Sequence, residues 1–195
     1  MVGKGIVLLL VGALVAVGWS KHNDRIREQD RLAVVASEIA GHKVGVRCPN
    51  IVKKLVYTSG EGGTVKFDEN GRPAGYTNLA PWTCDRLHNV RKVDFSCLDT
   101  SSCGEREFRI GWAIHTLAHE SFHLRGIGQE SAAECYAMQT TADVAVRLGV
   151  TRGHAEQLQD WLWTKGYPNE PDEYTTTQCR NGGPLDLHPA SLVWP

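Results

Sequence analysis

His119-Glu120-Ser121-Phe122-His123 sets two histidines four residues apart around a glutamate. On a helix, positions four apart share a face one turn from each other, so both imidazoles can reach one metal ion. Neutral imidazole suits zinc, which makes His119 and His123 candidate ligands. Glu120, between them, is the candidate general base that takes a proton from zinc-activated water as it attacks a carbonyl. A catalytic zinc ion has three protein ligands and one position left for water, so a third ligand must come from elsewhere.

The next helical segment offers two. At 100° per residue, Glu130, Glu134, Ala137, Met138, Thr141, Ala145 and Leu148 fall on one face, with Asp143 and Arg147 turned away. Two carboxylates thus begin an otherwise mostly apolar stripe, where burial without partners would be costly and a metal with its histidines would supply them. The Gly126-Ile127-Gly128 turn is short enough for an antiparallel hairpin, which sets Glu130 opposite His123 and Glu134 opposite His119. Glu130 is then the better third ligand, and Glu134 the better acceptor for the free ring N–H of His119. Spacing alone leaves the reverse assignment open.

This pattern, HExxH followed on the next helix by Glu130-Ser131-Ala132-Ala133-Glu134, resembles the gluzincin-type metallopeptidases. The resemblance implies a zincin-like fold, a zinc cofactor, a peptide or protein substrate, Glu130 as ligand and Glu134 behind a ligating histidine. The stretch 117–139 and the tail from Cys179 to Leu187 also resemble a group of membrane-anchored or exported zincin-like proteins. The specific match covers residues 115–139, and its linker from His123 to Glu130 is shorter than in most gluzincins. Gly126 also fits an HExxHxxGxxH pattern, but the third-histidine position holds Gln129, a rare zinc ligand.

Other polar residues have plainer readings. His115 shares the face of His119, but three collinear histidines on a straight helix cannot all ligate one ion, so it reads as core or cleft wall. Tyr136 and Tyr174 are candidates for stabilising an oxyanion. His154, Asp186 and His188 read as surface groups, and Trp161 and Trp163 as packing.

The elements that must position these residues are legible in outline. Helices are expected near 105–125, 129–148 and 151–166, broken by Gly126, Gly128 and Gly149. Ile110, Ile114, Leu117 and Leu124 form one stripe of the first, opposite Trp112, His115, His119 and His123, so both faces look buried. Another helix is expected over 25–40, carried by Ile26, Leu32, Val35 and Ile39 and ended by Gly41. Residues 43–47 and 54–58 are β-prone, and 65–67 and 74–77 flank the turn Asp68-Glu69-Asn70-Gly71, as in a hairpin. Residues 82–104 lack periodicity and read as irregular, and the Pro- and Gly-rich tail from Tyr167 as extended loop.

Residues 1–22 form an N-terminal segment of a different kind. Lys4 precedes an uncharged run over 5–19, and Lys21, Arg25 and Arg27 follow it. The run suits a short uncleaved membrane anchor, or a signal segment cleaved after Ala16-Val17-Gly18. The positive-inside rule would keep the C-terminal side in the cytoplasm. Six cysteines beyond the run, with no zinc-knuckle spacing, point instead to an exported, disulfide-bonded domain, in which Cys97 and Cys103 are a local pair.

With 195 residues and a net charge of −1, one domain over 23–195 is expected and no nucleic-acid partner. The sequence therefore points to an α+β, mostly helical, minimal zincin-like domain on a membrane anchor, or secreted, acting as a zinc metallopeptidase. The alternative is a non-catalytic, disulfide-stabilised envelope module whose zinc site is structural or vacant. Hydrolysis of a non-peptide amide is a third reading that the sequence does not separate from the first.

Overall fold

The computed structural model describes the backbone of residues 2–50, 60–191 and 193–195, and the side chains of these residues except 2–18 and 21. The protein is α+β and mostly helical. Among the described residues, five α-helices, α1 (Val2–Ala40), α2 (Pro81–Asn89), α3 (Glu105–Leu124), α4 (Glu130–Arg147) and α5 (Arg152–Lys165), accompany three short strands, β1 (Gly45–Arg47), β2 (Gly63–Thr64) and β3 (Tyr76–Leu79).

Helix α3 is the hub. Its 20 residues pack against α1, α2, α4 and α5 and against strands β2 and β3. Ile110, Ile114, Leu117 and Leu124 are buried on one side of it and His115, His119 and His123 on the other, as the doubly buried pattern predicts. Gly111 allows the closest approach of α5, since a Cβ there would lie 2.6 Å from Leu158 Cδ1. Met138, Val144, Ala145 and Leu148 carry the core through α4, and Leu158 and Leu162 through α5. The three expected helices begin and end within two residues of their predicted bounds.

Helix α1 contains the expected helix over 25–40. Leu32, Val35, Ala36 and Ala40 are its buried stripe, whereas Ile26 is 39% exposed. The chain leaves α1 at Gly41, which has φ +78° and donates its N–H to the Ser37 carbonyl at 3.0 Å. Among the described residues, no helix is long and apolar enough to cross a membrane. The apolar run expected to act as an anchor falls almost wholly on residues whose side chains lie outside that description.

The sheet has the order β1-β3-β2, with β1 parallel and β2 antiparallel to β3. The expected hairpin forms, with a bridge between Phe67 and Pro73 and with Gly63 and Thr64 paired to Leu79 and Asn78. The Asp68 carboxylate closes its turn by accepting the N–H groups of Asn70 and Arg72 at 2.9 and 2.8 Å. The β-prone stretch over 54–58 lies outside the described residues.

Residues 82–104 are more regular than expected. Pro81 opens α2, where its missing N–H costs nothing, and Thr83, Cys84 and Leu87 form a short buried face too brief to register as periodicity. Short 3₁₀ turns over Val90–Lys92 and Ser96–Thr100 follow. All six cysteines pair, as Cys48–Cys84, Cys97–Cys103 and Cys135–Cys179.

Candidate metal centre

Two helices and the turn between them build the site. Glycine ends α3: Gly126 has φ +105°, the Ile127 N–H reaches the Phe122 carbonyl at 3.1 Å, and the Gly126 N–H reaches that of His123 at 2.9 Å. Helix α4 then returns antiparallel, so that residues 123, 119 and 115 meet 130, 134 and 141 in turn. The expected hairpin register is the observed one.

Three ligand-type atoms converge there. His119 Nε2 lies 2.9 Å from His123 Nε2, and Glu130 Oε2 lies 3.0 Å from the first and 3.1 Å from the second. The far side of each ring fixes its tautomer. His119 Nδ1 faces Glu134 Oε2 at 2.9 Å, and His123 Nδ1 faces the Ile127 carbonyl at 2.6 Å. Both partners only accept, so both Nδ1 atoms carry hydrogen, and the two Nε2 atoms are left facing each other and Glu130 Oε2, where a metal ion would draw on their lone pairs in place of any proton. Lone pairs so arranged repel unless a cation, a proton or a metal ion, lies among them. His119, His123 and Glu130 could thus hold a metal ion.

The charges agree. Burial opposes a charged His119, but Glu130 and Glu134 outweigh it and raise its pKa to about 10. Hydrogen bonds from His119 and His123 hold the Glu130 carboxyl far below its ordinary range. Burial would raise Glu134, yet the nearby charge of His115 and the hydrogen bonds from His115 and His119 bring it well down. Glu134, 3% exposed, is a buried anion with both oxygens bonded to imidazoles.

Glu120 stands apart from the three. Its Oε2 accepts the Thr77 hydroxyl of β3 at 3.1 Å, and its Oε1 lies against β2. A Cβ on Gly63 would come within 2.7–2.8 Å of the Glu120 side chain, so only glycine leaves room there. Burial pushes the Glu120 carboxyl up, with His119, His123 and Thr77 offsetting part of the rise. A cleft of about 360 Å³ opens beside it, lined by Gly62, Gly63, Trp112, His119, Glu120 and Tyr174 among others.

The tail closes over this cleft. Cys135, next to Glu134, is bonded to Cys179, and the Gln139 amide donates to the Leu185 carbonyl at 2.8 Å and accepts the Leu187 N–H at 2.7 Å. The Tyr174 ring is thereby brought to 5.8 Å from that of His119, and burial, followed by the charge of Glu130, raises its pKa to about 12. Its hydroxyl therefore stays protonated at neutral pH. Tyr136 instead packs on Phe122 at 5.3 Å and does not line the cleft.

The structure thus brings together Glu120, His119, His123, Glu130 and Glu134. His115 lines the cleft as expected, but it also bonds Glu134 Oε1 through Nε2 at 2.8 Å and meets Thr141 Oγ1 through Nδ1 at 3.1 Å. Its position one turn before His119 was the available signal. Thr77 carried none, since its role depends on a strand brought in from 43 residues away. His154 pairs with Asp99 at 3.4 Å, and Asp186 accepts the N–H groups of Gly182 and His188 within its own turn. No protein-family model, curated protein or solved structure matches this chain.

Proposed function

We propose that the protein is a zinc metallopeptidase of minimal gluzincin type, with His119, His123 and Glu130 as ligands and Glu120 as general base. The observation that carries this reading is the meeting of two Nε2 atoms and one carboxylate oxygen at 2.9–3.1 Å beside a buried glutamate. The donor set fits zinc, whose bonds of about 2.0–2.2 Å to His nitrogen and carboxylate oxygen put neighbouring tetrahedral ligand atoms roughly 3.3 Å apart. When bound, zinc supplies a Lewis acid that acidifies water and polarises a carbonyl.

The chain's own groups supply the rest. Thr77 holds Glu120 Oε2, and the Glu120 carboxylate, which lines the cleft, accepts a proton and delivers it to the leaving amine. The raised pKa of Glu120 suits that return step. Strand β2 pairs only with β3 among the described strands, so its other edge can take an extended peptide by main-chain hydrogen bonds. This edge favours a peptide over other amides. Tyr174 offers a protonated hydroxyl to a developing oxyanion.

An extracytoplasmic domain on an N-terminal anchor is part of the proposal. It is supported by the uncharged run over 5–19 and by the three disulfides beyond it. The test is metal analysis of wild type and Glu120→Gln with a peptide-library cleavage assay. Zinc in both, with cleavage lost at least 100-fold in the variant, is the expected result. Zinc in both with no cleavage by wild type would favour a non-catalytic module, and wild type unable to bind zinc would sink both readings.

A further inference from the structure

The HExxH pattern gives no task to His115, yet it is among the most completely engaged side chains in the protein. It is 2% exposed, and three neighbours hold its ring. Nε2 meets Glu134 Oε1 at 2.8 Å, Nδ1 meets Thr141 Oγ1 at 3.1 Å, and the Trp112 ring lies 5.0 Å away at 37°. Thr141 is itself fixed, donating to the Ala137 carbonyl one turn back at 2.8 Å.

Glu134 has two oxygens and two imidazole partners, His115 on Oε1 and His119 on Oε2. A carboxylate with one partner turns easily, because its terminal torsion is broad and roughly two-fold. Bonding the second oxygen to a ring that cannot move fixes the plane, and with it the direction in which Oε2 meets His119 Nδ1. That bond keeps hydrogen on Nδ1 and the lone pair on Nε2, where a ligand atom is needed. Thr141, His115, Glu134 and His119 therefore form one hydrogen-bonded chain, crossing three times between α3 and α4 and ending at the ligand cluster.

We infer that His115 is a positioning residue of the metal centre: by occupying Glu134 Oε1 it holds Glu134 in the orientation that presents His119 Nε2 to the ion. The inference rests on the metal reading proposed above and adds a residue that acts on the ion only through Glu134 and His119. It also accounts for a third histidine on the α3 face that a straight helix cannot bring to the same ion.

The test measures zinc affinity of the purified full-length chain by chelator competition, with thermal melting as a control for folding. Partners behind metal ligands are typically worth 10–100-fold in affinity, so His115→Leu should raise the zinc Kd by roughly that factor. His115→Gln, which keeps an N–H near the position of Nε2, should recover most of the loss. In a Glu134→Ala background, His115→Leu should add less than about twofold, because its route to the metal is already gone. The cobalt-substituted protein should show an altered visible spectrum in His115→Leu and a near-native one in His115→Gln. Should His115→Leu fail to fold, Thr141→Val, nearly isosteric, should still raise the Kd, because it frees the far side of the same ring.

Unchanged zinc affinity in His115→Leu, beside a clear loss in Glu134→Ala, would overturn the inference and leave the metal reading intact. So would losses that simply multiply in the double variant. A wild-type chain that binds no zinc would instead remove the reading on which the inference depends.

Discussion

At the scale of single residues, the metal centre depends on which nitrogen of each histidine faces Glu130. Glu134 and the Ile127 carbonyl claim the Nδ1 atoms, which leaves the Nε2 atoms facing Glu130, the arrangement a metal ion there would require. Glu130→Ala removes an atom from the cluster, whereas Glu134→Ala removes one that aims His119. Glu130→Ala should therefore lose zinc more severely, with Glu134→Ala weakening affinity about 10–100-fold, as chelator competition would show. The opposite order would exchange their roles. The candidate residues were legible because HExxH and ExxAE place like groups at helical spacing. The distances set Glu130 between His119 and His123 and Glu134 between His115 and His119, a placement that spacing could not specify because reach depends on rotamers. His115 and Thr77 needed the fold: one bonds across the helix hairpin, the other across the sheet.

At the scale of elements, the site is a hairpin of two helices pressed by a sheet edge. The glycine turn at residue 126 sets the register of α4 against α3, and β2 presses on Glu120 through the bare backbone of Gly63. Gly63→Ala should push the Glu120 carboxylate aside while leaving His119, His123 and Glu130 in place. A misplacement of about 1 Å can cost roughly 100-fold, so kcat should fall toward that extent with zinc content unchanged. Loss of zinc together with activity would mean that β2 supports the ligands themselves. The long helices were legible from periodicity and from the glycines that end them. Helix α2 was not, because its nine residues begin at a proline and bury too short a stripe to give a period. The strands are two to four residues long and were readable mainly from the Asp68–Gly71 turn between them.

At the scale of the whole molecule, the disulfides tie loop and tail to the helical core. Cys48–Cys84 ties the loop after β1 to α2, and Cys135–Cys179 ties the tail to α4 one residue from Glu134. Replacing Cys135 and Cys179 together by Ala should destabilise the protein by about 2–4 kcal/mol, measurable by urea denaturation. It should also loosen Tyr174, raising KM for a cleaved peptide more than it reduces bound zinc. An even cysteine count pointed to a fully bonded framework, but which cysteines pair depends on contacts across 36 and 44 residues, beyond what spacing conveys.

In the proposed site a zinc ion lies among His119, His123 and Glu130. Anomalous diffraction from crystals of the zinc-reconstituted protein, recorded on both sides of the zinc absorption edge, tests it most directly. The account predicts one edge-dependent peak about 2 Å from His119 Nε2, His123 Nε2 and a Glu130 carboxylate oxygen. No such peak, or one seated between His115 and Glu134 instead, would contradict it.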